Sequence, residues 1–338
     1  MISRTGRVFV VGAYVPNGGT YMAYHIGRIL QLDFKLHVVA VTLAGEHAEN
    51  NTFLYDVVFP SIPLEEMENL ITDGDILIAN PSFSSHLFGL RLPGRKLMYI
   101  QSFNTFALLD CHFDHYICVS GFVAKFLAST YGIRAPVISA FIAIERVPSA
   151  LPWGARPAGS IVIHLKGDSS YQKGVLTRLR DAVSRGLPGV DLDNILDTPL
   201  PHTDFVARLG RARYLVSLSA AEGFGLVPLE AMAMGTTVIG FDGFGGREYM
   251  RSGKNCLVTS YPDIEGVAGR LVAALQAPRL AERLAKRGRL TASRFPYERF
   301  HAAWHDELRR FLQAEARCAR LNHYWRPALR NQFSRRNH

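Results

Sequence analysis

Short apolar runs alternate along this chain with longer stretches in which apolar positions return every third or fourth residue. The short runs predict strands at Arg7 to Ala13, Lys35 to Thr42, Asp75 to Ala79, Lys96 to Ile100 and Tyr116 to Val119. The longer stretches predict helices over Tyr21 to Leu32 and Gly121 to Tyr131, the second stopped by Gly132, before a last strand near Pro136 to Phe141. Strands that are apolar on both faces and separated by helices belong in a parallel, doubly wound sheet.

The stretch Pro148 to Gly159 is rich in proline and glycine, which disfavour helix and sheet interiors, so a linker is expected there. Beyond it the alternation restarts. Strands are predicted at Ser160 to Leu165, Tyr214 to Ser219 and Thr236 to Phe241, and helices near Val175 to Arg185, Asp204 to Ala212 and Val227 to Met234. From Ile264 to about Glu315 the pattern is mostly helical, interrupted by Pro278 and Pro296. The fold class read from this is α/β, with two doubly wound domains at 1-150 and 151-295 and a basic tail at 316-338.

At 338 residues the chain is long enough for two cores. Its net charge of +9 suits anionic partners, whether nucleotides, phosphorylated lipids or nucleic acid, without choosing among them. Cys111, Cys118, Cys256 and Cys318 are scattered without zinc-site spacing, and a reduced cytoplasmic protein is the simpler reading. No apolar run approaches the ~20 residues that cross a bilayer, and the N-terminus enters Val8 to Val11 without a signal pattern, so export is not expected. The tail from Arg317 to His338 holds six arginines and no acid, with Tyr324, Trp325 and Phe333 among them. Such a segment suits an anionic membrane surface or nucleic acid; a plain solvated tail is the simpler alternative.

The most informative stretch runs from Ser219 to Ile239, where a strand ends, a glycine loop follows and a helix opens with Pro228 in its first turn. In a parallel sheet this loop lies at the carboxyl end of a strand, where doubly wound folds bind ligands. Small residues there let backbone amides approach oxygen-rich groups, and the helix start directs partial positive charge at anions. Glu222 precedes the loop and Glu230 follows it. A carboxylate accepts two hydrogen bonds in fixed geometry, as a sugar diol requires. A helix-start charge for Glu230 and a solvated loop acid for Glu222 are the alternatives on spacing alone.

The run from Glu222 to Gly235 resembles the paired-glutamate motif of retaining GT-B glycosyltransferases, especially family 4. Asp242 to Glu248 and Gly253 to Val258 look like the loop and strand that follow it there, and Lys173-Gly174 looks like that family's Lys-Gly pair. The resemblance covers essentially all of the second domain and, more weakly, the first. It implies a GT-B fold of two Rossmann-like domains facing a cleft, with the helix at 296-315 returning to the first domain. It also implies that Glu230 holds the donor ribose, Glu222 contacts the transferred sugar and Lys173 neutralises the diphosphate. Gly223, Phe224, Gly225 and Leu226 would line the donor pocket, and Gly18 and Gly19 would form the glycine loop of the first domain. A lysine and a helix start supply positive charge against a leaving diphosphate, so no metal or other cofactor is expected.

Two positions depart from the family pattern. Where relatives carry an arginine, Ser160 to Asp168 offers Lys166, which binds phosphate as a point charge without arginine's fork. Where many carry a histidine, this chain has Gln101, a variant similar to the rhamnan-type members; glutamine orients a hydroxyl but is no base. His86 is the neighbouring alternative. Asp191 and Asp193 match a metal-binding Asp-x-Asp spacing, but three letters arise readily by chance and their context is wrong for it.

The expectation is therefore a hexosyltransferase-type enzyme of polysaccharide or lipid-linked glycan assembly. It would move a sugar from a nucleoside-diphosphate sugar to a glycan or lipid-linked acceptor in the cytoplasm, peripherally at the inner membrane face, with nucleic acid disfavoured as a partner. A sugar-nucleotide epimerase of the same fold and a non-catalytic binding protein are the rivals.

Overall fold

The computed structural model describes residues 6–15, 17–43, 53, 55–142, 150–166, 169–196 and 200–314. Two compact units divide them: one takes residues up to 119, 123–138 and 300 onward, the other 120–122 and 139–299.

The first unit is built on a six-stranded sheet of β1 (Arg7–Val11), β2 (His37–Thr42), β3 (Ser61–Pro63), β4 (Ile76–Ala79), β5 (Arg95–Ile100) and β6 (His115–Cys118). Its strand order is β3-β2-β1-β4-β5-β6, with every pair parallel. Helices α1 (Gly18–Leu32), α2 (Leu64–Leu70), α3 (Phe88–Arg91) and α4 (Gly121–Tyr131) connect the strands, although Gly121 and Phe122 group with the second unit. Val8 to Val11, Val38, Ala40, Val41, Leu77 and Leu97 to Ile100 are all buried, as a sheet covered on both faces requires. The strand expected at Pro136 to Phe141 reduces to a single parallel bridge, Cys118 to Val137. Asp75 ties the starts of β1 and β4 together at the amino end of these two central strands. Its nearly buried carboxylate accepts hydrogen bonds from the Arg7 backbone at 2.7 Å, the Arg7 guanidinium at 2.9 Å, and the Thr72 amide and hydroxyl at 2.8 Å each.

The second unit carries a four-stranded parallel sheet of β7 (Ile161–His164), β8 (Tyr214–Ser217), β9 (Thr237–Phe241) and β10 (Leu257–Thr259), in the order β10-β9-β8-β7. Side chains alternate across a strand. Ile161, Ile163, Tyr214, Val216, Ile239 and Phe241 accordingly share one core with α5 (Ser169–Gly186) and α8 (Ile264–Gln276). Val162, Leu215 and Val238, equally buried, face the other way, where α7 (Leu226–Ala233) and α9 (Pro278–Ala292) contact β9. Helix α6 (His202–Arg211) precedes β8.

Trp153 and Arg156 of the expected linker are buried in this second unit, while most of the described residues around them are exposed. Trp153 donates its indole N–H to the Arg213 carbonyl at 3.2 Å, and the buried Arg156 guanidinium donates to the Ala212 and Met234 carbonyls at 2.7 and 2.6 Å. Proline and glycine composition carries no sign of such long-range partners. Helix α10 (Tyr297–Gln313) lies in the first unit from Phe300 on, where Trp304 meets Tyr99 edge-on and Glu307 bonds His115 at 2.8 Å. The 316-338 tail and Cys318 lie outside the described residues. No described helix is long and apolar enough to cross a membrane.

Candidate active site

At the carboxyl end of β8 the chain turns through Leu218 to Gly225 before α7 begins. Gly225 adopts φ +86, in the left-handed region that costs residues with a Cβ about 1 kcal/mol or more. The turn is held from several sides. The Glu222 amide donates to the Gly243 carbonyl at 2.8 Å, and the Gly245 amide donates back to the Glu222 carbonyl at 3.0 Å. Ser120 Oγ donates to the Gly223 carbonyl at 2.6 Å, and the buried Tyr249 hydroxyl donates to that of Gly225. These bonds use the loop's carbonyls. Among the described residues, the N–H groups of Gly223, Phe224, Gly225 and Leu226 have no protein acceptor. A helix start with unclaimed amides is an anion site.

Two carboxylates flank those amides. Glu230, in the second turn of α7, keeps 6% of its surface exposed and bonds His202 Nε2 at 2.7 Å. Glu222 pairs with Lys166 Nζ at 3.0 Å; that lysine, just past β7, has most of its side chain in solvent. His164, the last residue of β7, lies within electrostatic reach of Glu222, Lys166 and Glu230. Burial pushes its imidazole below the ordinary value and Lys166 pushes the same way, against the pull of Glu222 and Glu230. His164 is therefore neutral near pH 7, with Nδ1 3.5 Å from Ser219 Oγ. Tyr249 feels both glutamates as well, after the larger effect of burial, which holds its hydroxyl protonated. The structure thus brings Glu222, Glu230 and Lys166 to one place, together with His164 and His202, which the sequence reading did not single out. The only sequence signal for His202 is its position just before a predicted helix.

Lys173 is exposed near the start of α5, and its side chain makes no hydrogen bond or ion pair among the described residues. In the first unit, Asn17 caps α1 by accepting the Thr20 amide at 3.0 Å, and Gln101 Nε2 donates to the Gly19 carbonyl at 2.6 Å. A Cβ on Gly19 would stand 2.9 Å from Gln101 Oε1, so glycine permits this approach. Gly18 opens the same helix. His86 packs its ring against Phe83 and Phe88, at 5.7 and 5.0 Å between centroids. Asp191 accepts the Asp193 amide, and Asp193 pairs with Arg180.

Residues 198–291, which span α6, the loop, α7, β9 and most of α9, match the family model for glycosyl transferases group 1. No curated protein matches in sequence. Among solved structures, the chain is similar to sucrose-phosphate synthase from Thermosynechococcus elongatus, at 17% identity and TM-score 0.67 over 92% of this chain and 100% of that one. It is also similar to Anabaena HepE solved with UDP and glucose, at 12% identity and TM-score 0.63 over 90% and 99% of the two chains. TarM from S. aureus, solved in a complex that includes UDP, is 15% identical with TM-score 0.57; the match covers 74% of this chain and 58% of TarM. With a group 1 glycosyl transferase segment around the two glutamates and the GT-B fold, the chain is a glycosyltransferase.

Proposed function

We propose that this enzyme is a retaining, metal-independent glycosyltransferase that moves a sugar from a nucleoside-diphosphate sugar to a glycan or lipid-linked acceptor. One observation carries the reading: four unclaimed amides, a lysine and two glutamates meet at the carboxyl end of β8. Amides and lysine suit a diphosphate, and carboxylates suit hydroxyl pairs.

In this reading Glu230, held by His202, accepts the two ribose hydroxyls of the donor. Glu222 faces the transferred sugar and Lys166 sits at the diphosphate, where Lys173 joins it. The amides of Gly223 to Leu226 take up charge as the bond from the anomeric carbon to the phosphate oxygen breaks, which is where preformed dipoles lower a barrier most. The acceptor hydroxyl attacks the same face, and its proton passes to the departing phosphate oxygen, so configuration is retained without a protein base. Gln101 is assigned an orienting role. Two of the similar structures were solved with UDP, which makes uridine diphosphate sugars the first donors to test.

The test is product analysis with a matched donor and acceptor. Retained anomeric configuration and a rate unchanged by a chelator support the proposal. Inverted product, a chelator-sensitive rate, or conversion of the donor without any acceptor, as an epimerase would give, refutes it.

A further inference from the structure

The second unit holds a second concave site that the transfer reaction does not use. It is a cavity of about 490 Å³ between the segment Glu248 to Asn255 and the end of α9, and Arg251, Lys254, Arg287 and Arg294 line it. That volume lies in the range of small-molecule sites.

Some other cations of this unit are matched locally, such as Arg247 with Asp242, Lys286 with Glu282 and Arg185 with Glu265. The four that share the cavity have no carboxylate partner among the described residues, and they face one space. One acid, Glu248, shares the wall, and its carboxylate accepts the Gly121 amide at 2.8 Å. Four cations against one acid in a concavity leave an uncompensated positive field, which low-dielectric walls concentrate.

The walls are tied together. The buried Asn255 amide donates to the Tyr249 carbonyl and to Thr291 Oγ1, both at 2.9 Å, and its oxygen accepts the Arg251 amide at 2.8 Å. Asn255 therefore fixes the Arg251 and Lys254 loop against the helix turn that carries Arg287 and Thr291. Side chains from two segments thirty-odd residues apart in sequence are held around one space. Three of the four cations are arginines, whose planar forks match phosphate oxygens two at a time.

We propose that this cavity binds a phosphate ester, and that it is separate from the donor site. The charge balance calls for a group carrying more than one anionic oxygen, and the volume leaves room for the organic body of an ester beside it. Leu290, largely exposed at the rim, lies where that body would emerge. A soluble phosphate ester and a phospholipid headgroup present the same chemistry, so the experiment has an arm for each.

Glycerol 3-phosphate is titrated calorimetrically into the full-length protein, and in parallel the protein is sedimented with phosphatidylglycerol vesicles, with phosphatidylcholine vesicles as blank. Both are repeated with the Arg287→Glu/Arg294→Glu double variant and with Lys166→Ala, which disturbs only the donor site. Thermal unfolding checks that the exposed replacements leave the fold intact, and Arg287→Lys/Arg294→Lys should restore part of the binding. The expected result is at least about a tenfold loss of affinity in one arm for the charge-reversed variant and none for Lys166→Ala. Loss in the first arm identifies a soluble ester and loss in the second a headgroup. If charge reversal changes neither arm by more than about twofold, the proposal is wrong.

Discussion

Gly245 tests how tightly the position of Glu222 is set. Its amide bonds the Glu222 and Gly243 carbonyls, and a Cβ there would lie 2.2 Å from the carbonyl carbon and oxygen of Gly223 and 2.4 Å from the Glu222 oxygen. Ordinary contact begins near 3.4 Å, so Gly245→Ala needs about 1.2 Å of movement, and the atoms in the way are backbone. Overpacking of this kind costs about 1–3 kcal/mol in stability. Displacing a substrate-positioning group by roughly 1 Å costs about 100-fold in rate. Gly269→Ala is the matched control: it sits exposed within α8 with nothing near the added carbon, and should gain about 0.5–1 kcal/mol with unchanged rate. The assay is nucleoside diphosphate release under initial-rate conditions, with thermal unfolding of each variant. A folded Gly245→Ala protein with wild-type kcat and KM would refute the claim that this contact positions Glu222.

Three further outcomes are expected. His202→Ala leaves the buried Glu230 without its 2.7 Å partner and should cost about 1–3 kcal/mol and raise KM for the donor, while His202→Gln, which keeps an N–H donor, restores part of both. Lys166→Ala should change stability by less than about 1 kcal/mol, because the pair with Glu222 is largely solvated at the lysine, yet weaken diphosphate binding about tenfold or more; calorimetry and unfolding separate the two. Asp75 is buried, which raises a carboxyl, but the bonds from Arg7 and Thr72 outweigh this and hold it below its ordinary value. Its stabilisation is therefore present above pH about 4 and lost as the pH falls below that, so the stability gap between wild type and Asp75→Asn, about 2–3 kcal/mol at pH 7, should hold down to about pH 4 and shrink as the pH is lowered further in denaturant titrations.

Both sheets and the glutamate-glycine turn were legible because they rest on local signals: apolar runs, a glycine loop, a proline in the first turn of α7. The helix at Gly121 to Tyr131 was legible for the same reason. Short edge elements were not. β3 is three partly exposed residues with no periodicity, and α2 buries only Met67. At the site, spacing singled out the two glutamates with their alternatives open and the family resemblance gave them roles, whereas His164 and His202 reach it through strand register and helix placement, which no local pattern encodes. Gln101 meets Gly19 across 82 residues of sequence, and the cationic cavity joins Arg251 to Arg287. Such partners become visible only once the chain is folded.

The central claim is that the amides of Gly223 to Leu226, Lys166, Glu222 and Glu230 form one binding site for a diphosphate-linked sugar. Its most direct test is calorimetric titration of wild type, Glu230→Ala and Lys166→Ala with uridine, guanosine, adenosine and thymidine diphosphates. The account predicts that at least one of them binds the wild type and that both substitutions weaken it about tenfold or more. Binding that neither substitution alters, or no binding by any of the four, would contradict it.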